Sequence, residues 1–102
     1  MLRHVVLINF RPDLHESAIS LVLDSVVKLK DRIDGILAIT AGANSSPENL
    51  DKGFRHGFVV DFLDAAARDT YLPHPDHVRV GEALVKAAQG GIAGILVFDY
   101  EV

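Results

Sequence analysis

The residues of this chain that are best suited to chemistry lie in one segment, YLPHPDH, at positions 71–77. Pro75 favours the first turn of a helix, which places His77 in that turn as well. Because the positive end of the helix dipole disfavours an imidazolium, we expect His77 to be neutral and able to accept a proton. Tyr71, just before the proline break, can donate a hydrogen bond to a developing enolate oxygen. Together they are suited to removing a proton beside a carbonyl group.

The same segment also has a purely structural interpretation. His74 and His77 can bond to free backbone groups where the helix is interrupted, while Tyr71 packs over the sheet, since polar side chains at helix starts usually serve as caps. The two interpretations differ in what they predict for His77→Ala. A catalytic role leaves stability nearly intact, whereas a structural role lowers the melting temperature. The residues alone leave both interpretations open.

Two further histidines, His4 and His56, lie in apolar segments that predict strands. By alternation, each shares a face with the apolar residues two and four positions further along. If the two strands are antiparallel neighbours, the histidines lie towards opposite ends, unless a register offset brings them closer. A lone histidine in an apolar strand is more often a hydrogen-bonded core or interface residue, so these two can face either the cavity or the dimer core. Against that structural alternative, we predict His4, His56 and His74 as substrate-binding residues, secondary to the catalytic candidates Tyr71 and His77.

No metal or cofactor site is expected. His74, Asp76 and His77 offer three potential ligands, but a stable site needs three or four converging ligands, and Pro75 restricts the backbone. The glycines near position 90 lack the preceding strand and following helix of a phosphate-binding loop, and a helix end with a turn explains them. The absence of Cys excludes thiolate zinc sites and cysteine nucleophiles.

Composition indicates one small soluble domain over residues 1–102. Hydrophobic residues make up 49% of the chain and charged residues 24%, which argues against intrinsic disorder. A formal charge of −4 disfavours nucleic-acid binding, which needs Lys and Arg concentrated on one face. No apolar run approaches the roughly 20 residues of a membrane span, and the start lacks the pattern of a signal peptide. We therefore expect a cytoplasmic protein.

Hydrophobic periodicity predicts an α+β fold of ferredoxin-like order, β-α-β-β-α-β, with the second helical layer broken in two. Strands are predicted at residues 2–10, 36–43, 55–63 and 92–102. Helices are predicted at residues 15–33, with Asp13 as N-cap, at 64–71 and at 75–89. The last helix is expected to direct Val78, Leu84, Val85 and Ala88 inwards. In this topology the four strands form one antiparallel sheet, and the helices pack on one face.

Both faces of the predicted sheet are apolar. The first strand has Val5 and Leu7 on one side and Val6 and Ile8 on the other. An antiparallel sheet with one face in water normally alternates polar and apolar residues, and the helices can cover only one face. Monomers rarely expose a contiguous apolar patch of more than a few hundred Å². We therefore predict a homodimer that packs sheet to sheet about a two-fold axis.

Four segments carry a family resemblance: HVVLINFRPD near the start, SPENLDKGFRHGFVVDF, YLPHPDH and the terminal LVFDYEV. In this order they resemble the stress-responsive A/B barrel (Dabb) family over nearly the whole chain. The resemblance implies a dimeric α+β barrel. The two apolar faces of the predicted sheet indicate a dimer independently. Most members have no defined biochemistry. The family includes plant stress proteins and olivetolic acid cyclase, which closes an aromatic ring by aldol condensation without a cofactor.

The resemblance also implies roles for individual residues. The catalytic tyrosine and histidine of the cyclase correspond to Tyr71 and His77, and two pocket-region histidines correspond to His4 and His56. The apolar lining differs, because a pocket tyrosine of the cyclase corresponds to Val26, and the Trp of its last helix has no counterpart in a chain without Trp. The resemblance therefore implies a different or smaller ligand.

These observations predict a homodimer with a small apolar cavity between the sheet and the helices of each subunit. In that cavity, Tyr71 and His77 would act without a cofactor on a small molecule that contains a carbonyl group. Two alternatives stay open: a stress-linked structural or ligand-binding protein without turnover, and a cofactor-free oxygenase of the kind that related barrels house. A cavity reaching both residues favours the enzyme, and a solid core between them favours the structural role.

Overall fold

The computed structural model describes residues 1–102, which form one antiparallel sheet with three α-helices packed on one face. The strands are β1 (Leu2–Ile8), β2 (Ile36–Ala43), β3 (His56–Phe62) and β4 (Ile95–Glu101). The helices are α1 (Glu16–Val27), α2 (Ala65–Tyr71) and α3 (Pro75–Ala87), and short 3₁₀ turns follow α1 and precede β4. The predicted order of elements and the break in the second helical layer are confirmed.

The start and the end of the first helix differ from the prediction. Its α-helical part ends at Val27 and tightens into a 3₁₀ turn over Lys28–Asp31. Its N-cap is His15, whose ring nitrogen accepts the backbone N–H of Ser17 at 3.3 Å. The predicted cap, Asp13, lies outside the helix in the preceding loop. A histidine is a less common cap than an aspartate, which is why the pattern favoured the earlier residue.

The last strand begins later than predicted because the chain must first turn. Gly90 and Gly91 both have positive φ, at 72° and 67°, and a 3₁₀ turn over residues 91–94 follows. Gly94 is buried where three stretches of backbone meet: a Cβ there would lie 2.6 Å from the carbonyl oxygen of Gln89 and 2.9 Å from that of Asn9. This close approach requires a glycine.

The strand order β2-β3-β1-β4 places β1 and β3 in the middle of the sheet. Within the β1–β3 pair, His4 lies opposite Val60, and Ile8 lies opposite His56. The two histidines therefore share the helix-covered face but lie four residues apart along the sheet, about 13 Å. Within the β1–β4 pair, His4 lies opposite Asp99.

The core lies between the helices and one face of the sheet and contains 18 buried hydrophobic residues. The central strands contribute Leu2, Val6, Ile8, Phe58, Val60 and Phe62 to it. From α3 and its end, Leu84 and Ala88 are buried as predicted, but Val78 and Val85 are exposed. The helix therefore presents to the core a narrower apolar stripe than its sequence suggests.

The other face of the sheet has no cover within the chain. It carries Val5 and Leu7, which are half-buried, and Leu96, Phe98 and Tyr100 of the edge strand, which are exposed. Phe98 is 60% exposed. The accessible surface of 6302 Å² exceeds the value of about 5,700 Å² expected for a compact monomer of this mass. None of the three helices has the length and hydrophobicity that crossing a bilayer requires.

Candidate active site

Tyr71 is the last residue of α2 and is almost completely buried, with 1% of its surface exposed. Asp64 is the N-cap of the helix and accepts a hydrogen bond from the backbone N–H of Ala67. Two helical turns later, the ring of Tyr71 lies over β3. There the ring packs edge-on against Phe62, with centroids 4.9 Å apart. Burial raises the pKa of Tyr71, so its phenol stays neutral and keeps a hydrogen that it can donate.

The hydroxyl of Tyr71 has no hydrogen-bond partner in the chain. The hydroxyl is nevertheless not fully buried, because no fully buried polar side-chain atom is left unbonded, and it accounts for part of the 1% of Tyr71 that is exposed. Tyrosine hydroxyls in protein interiors usually find a partner. The fold therefore leaves this donor without a use of its own.

His77 lies in the first turn of α3, beside the tyrosine ring, with the two ring centroids 4.2 Å apart. Its Nδ1 lies 2.8 Å from the carbonyl oxygen of Leu72. A carbonyl oxygen only accepts, so Nδ1 carries the hydrogen and Nε2 keeps a free lone pair in the neutral ring. The hydrogen bond to Leu72 thus fixes the tautomer in which Nε2 can accept a proton, as a general base must.

The pKa of His77 is lowered from its ordinary value, in the direction we expect for a neutral ring, but the main cause is not the helix dipole. Its pKa is lowered mainly by burial, with smaller contributions from His4 and His74, and the hydrogen bond to Leu72 opposes the shift. Desolvation destabilises the imidazolium, and the helix dipole is not required to explain the shift.

His4 completes a group of three polar rings. It is 4% exposed, and its ring lies edge-on to both Tyr71 and Phe62, at 6.1 Å from each. Its Nδ1 lies 2.6 Å from a carboxylate oxygen of Asp99, the residue opposite it on β4. Because a carboxylate accepts, Nδ1 of His4 donates, and Nε2 is again left free.

Arg68 and Asp99 are site residues that sequence analysis missed. The second carboxylate oxygen of Asp99 accepts from Nη1 of Arg68 at 3.3 Å, so one carboxylate links α2 to the β1–β4 pair. A signal was present: alternation along the last strand places Asp99 on the same face as Ile95 and Val97. A carboxylate on the helix side of a strand needs a partner, since burying an unpaired charge is costly.

His74 and His56 do not join this group of rings. His74 is the N-cap of α3, and its Nδ1 accepts the backbone N–H of Asp76 at 3.1 Å, as the structural interpretation predicts for this residue. His56 lies at the far end of the sheet, where its ring packs edge-on against Phe10 at 5.3 Å. The structure therefore brings together Tyr71, His77 and His4, and separates His56 from them.

The five principal clefts of the molecule, of about 280 to 440 Å³, are lined by other residues than Tyr71, His77 and His4. The cavity that we expected beside the catalytic candidates is not among them, because the aromatic rings pack against one another. No three His, Cys, Asp or Glu side chains converge in a way that could hold a metal ion.

Comparison with known proteins assigns the chain to a family. The model of the stress responsive A/B barrel domain matches residues 2–102. The chain belongs to the Dabb family. Among curated proteins, the Dabb chain is 28% identical over 99 residues to the stress-response A/B barrel domain-containing protein HS1 of Arabidopsis thaliana. The match covers 97% of this chain and 87% of HS1.

Solved structures show the same architecture. A dimeric ferredoxin-like protein of unknown function from Jannaschia sp. CCS1 superimposes with a TM-score of 0.85 at 32% identity, over 99% of this chain and 98% of that one. The hydroxynitrile lyase of Passiflora edulis superimposes with a TM-score of 0.88 at 18% identity, over 99% and 92% of the two chains. At that identity the lyase is similar in fold alone.

The ring cluster of this Dabb domain holds the parts of an acid–base site. Nε2 of His77 offers a lone pair, the hydroxyl of Tyr71 offers a hydrogen, and His4 is held in one orientation by Asp99. None of these groups requires a metal or an organic cofactor for proton transfer. Such a set can remove a proton from a carbon acid and stabilise the oxyanion that forms.

Proposed function

We propose that this Dabb protein is a homodimer that closes through the uncovered face of its sheet. We propose further that Tyr71, His77 and His4 form a cofactor-free acid–base site in each subunit. Its substrate would be a small molecule with a carbonyl group, and the reaction would belong to the cyclase or lyase class.

The dimer is supported by the surface that the fold leaves open. Phe98 and Leu96 project from the edge strand on the uncovered face, beside Val5 and Leu7 of β1. Solved relatives of the same fold, including the one from Jannaschia, are described as dimeric. A second copy offers this face a partner of the same apolar character.

Light scattering at micromolar concentration tests the dimer. The wild-type chain should give twice the mass of one chain, and Phe98→Glu should give a folded monomer. Leu21→Glu is the matched control, because Leu21 is 71% exposed on α1, away from the sheet face, and its substitution should leave the dimer intact. A monomeric wild-type protein, or a Phe98→Glu variant that stays dimeric, would contradict this proposal.

The proposed reaction is carried by the free Nε2 of His77 beside the free hydroxyl of Tyr71. The substrate carbonyl oxygen would accept the hydrogen bond of Tyr71, and His77 would take a proton from the adjacent carbon. The C–H electron pair then forms the enolate, whose oxygen stays bonded to Tyr71, and the imidazolium returns the proton at the end of the reaction. Because the two rings are in contact, ligand entry requires them to separate.

Exchange of α-hydrogens in a simple ketone tests this chemistry without knowledge of the natural substrate. Acetophenone in D₂O should lose its methyl proton signal faster with the wild-type protein than in buffer alone. His77→Gln should abolish the acceleration, and Tyr71→Phe should reduce it by about 100-fold, as expected when an oxyanion donor is removed. His15→Gln, at the exposed start of α1, is the control that should exchange like wild type.

A second candidate function, a stress-related protein without turnover, is favoured by the packing of the ring cluster. Tyr71 and His77 pack against each other, none of the principal clefts reaches them, and the relative HS1 is described as a stress-response protein. In that case His77→Ala loses stability, while acetophenone exchange stays at the buffer rate for every variant. Retained stability together with lost exchange supports the enzyme.

A further inference from the structure

A separate cleft lies at the opposite end of the helix-covered face, around His56. It has a volume of about 420 Å³ and lies between the loop that joins β1 to α1, the start of β3 and the end of α3. Phe10, Leu14 and Ile19 give it an apolar floor. Ligand sites for small molecules are commonly of this kind, with volumes of roughly 300–1,000 Å³ and a few polar groups on an apolar wall.

The polar groups on the wall of this cleft are unused by the fold. The ring of His56 packs edge-on against Phe10, yet neither ring nitrogen has a hydrogen-bond partner in the chain. The side-chain amides of Asn9 and Gln89, from two different walls, are likewise unbonded. At the Tyr71 end, by contrast, Nδ1 of each histidine is committed to a partner.

Two arginines, Arg11 and Arg55, border the cleft from different segments, and their ion pairs are loose. Arg11 Nε lies 3.5 Å from Asp13, and Arg55 Nε lies 3.9 Å from Asp51, both beyond ordinary hydrogen-bond length. Asp13 is itself 74% exposed. Exposed pairs of this kind contribute little to stability, so the guanidinium groups can turn to a ligand at small cost.

We infer that this cleft binds a small organic monoanion, a carboxylate on an apolar or aromatic body. The carboxylate would lie between Arg11 and Arg55, whose planar guanidinium groups match its two oxygens, and the body would lie on Phe10 beside His56. The side-chain amides supply further donors at the same wall. Glu16, the single carboxylate of the wall, disfavours a dianion such as a phosphate monoester.

This cleft is independent of the acid–base site and of the proposed dimer interface. Tyr71, His77 and His4 are absent from its walls, and so are the residues of the uncovered sheet face. The cleft is therefore not built from the residues through which we propose that the dimer forms. The test for ligand binding in this cleft is therefore independent of the ketone exchange experiment.

Titration of the full chain with benzoate, followed by backbone amide shifts at fixed ionic strength, tests the inference. The saturable shifts should centre on Gly53, His56 and Gln89, which border the cleft. Benzamide, which has the same shape and no charge, should bind at least about ten-fold more weakly, because a hydrogen bond to a charged acceptor is stronger than one to a neutral acceptor. Phenyl phosphate should also bind more weakly than benzoate.

Charge variants decide whether the named residues do the binding. Arg55→Gln and Arg11→Gln should each weaken benzoate about ten-fold, and Glu16→Gln should tighten it. Arg79→Gln is the matched control, since Arg79 is 71% exposed on α3 and pairs with Asp76 at 3.1 Å, and it should bind benzoate like wild type. Equal binding of benzoate and benzamide, scattered amide shifts, or equal losses for the Arg55 and Arg79 variants would overturn the proposal.

Discussion

The histidines at the two ends of the helix-covered sheet face differ in burial and in hydrogen bonding. At one end, His4 and His77 each donate Nδ1–H to a fixed acceptor, Asp99 and the carbonyl of Leu72, and their rings pack around Tyr71. At the other end, His56 borders an open cleft with no hydrogen bond of its own. Buried polar groups must be bonded, whereas groups beside a cleft are solvated and need no partner.

This difference has consequences for stability. At the Tyr71 end, polar rings are buried, and their desolvation costs free energy. Ring packing and the hydrogen bonds of His4 and His77 offset that cost. The His56 end keeps loosely paired charges that contribute little to folding. Removing the buried Tyr71 ring, or the acceptor of the buried His4, should therefore lower stability, whereas equivalent substitutions at the His56 end should leave stability nearly unchanged.

The largest expected contrast is between Tyr71→Ala and His56→Ala. Removing the buried tyrosine ring leaves a void against Phe62 and His77 and should cost about 3–5 kcal/mol in the free energy of unfolding. Removing the half-buried His56 should cost about 1 kcal/mol or less. Urea unfolding at one fixed protein concentration measures both, since a dimer's stability depends on concentration.

Tyr71→Phe separates the ring from its hydroxyl. Because the hydroxyl has no partner in the chain, its loss should change the stability by less than about 1 kcal/mol. A loss as large as that of Tyr71→Ala would show that the hydroxyl is a structural group, and would weaken the proposal that it serves a bound molecule.

The next contrast removes one carboxylate from each end. Asp99→Ala leaves His4 buried without its acceptor and frees Arg68, which should cost about 1–3 kcal/mol. Asp13→Ala at the other end removes only a loose pair with the exposed Arg11 and should change the free energy of unfolding by less than about 0.5 kcal/mol. Thermal unfolding of the two variants side by side measures the difference. Equal losses would show that the two ends are alike in their electrostatics.

Much of the fold follows from local pattern. Alternating apolar strands and a helical period define the element order, and the apolar residues on both faces of β1 and β4 indicate a sheet that its own helices cannot cover. Val78 and Val85 were placed inwards because periodicity reports the apolar residues of a helix without its exact rotation against the sheet. Of the four residues predicted to face inwards, Leu84 and Ala88 are buried, whereas Val78 and Val85 are exposed.

The candidate site is predictable only in part, because its contacts depend on register. The segment at positions 71–77 supplies Tyr71 and His77 from neighbouring sequence, so their proximity could be expected. The bond between His4 and Asp99 joins residues 95 positions apart and requires the exact pairing of β1 with β4. One residue of slippage would turn His4 to the other face.

The helix caps offer a smaller contrast between the two ends. His74 begins α3 at the Tyr71 end with a bond of 3.1 Å to Asp76 N–H, and His15 begins α1 near the cleft with one of 3.3 Å to Ser17 N–H. His74 is half-buried and His15 is exposed. We expect His74→Ala to cost about 1 kcal/mol and His15→Ala less, with each loss restored by Asn, a better cap.

Ketone exchange by His74→Asn separates capping from substrate contact. If His74 only caps the helix, this variant keeps both stability and exchange. Restored stability together with lost exchange would instead support the predicted role of His74 in substrate binding.

The smallest expected effect is the pH dependence that His77 gives to stability. Its pKa is lowered in the folded protein, mainly by burial, so between that value and its ordinary value of about 6.5 the unfolded chain binds a proton that the folded chain does not. Stability therefore falls as the pH drops through this window, and the loss levels off below the folded pKa. Above about pH 6.5 the residue contributes no slope.

His77→Gln isolates this contribution, because every other histidine remains. Unfolding free energies measured from pH 7.5 to 4.5 should show a shallower acid decline for the variant than for wild type. The difference should be small because the ring is only partly buried and solvent screens its charge. A steeper decline in the variant would mean that folding stabilises the imidazolium. His77 could not then be the neutral base of this site, because its Nε2 would carry a hydrogen in place of the lone pair that accepts the substrate proton.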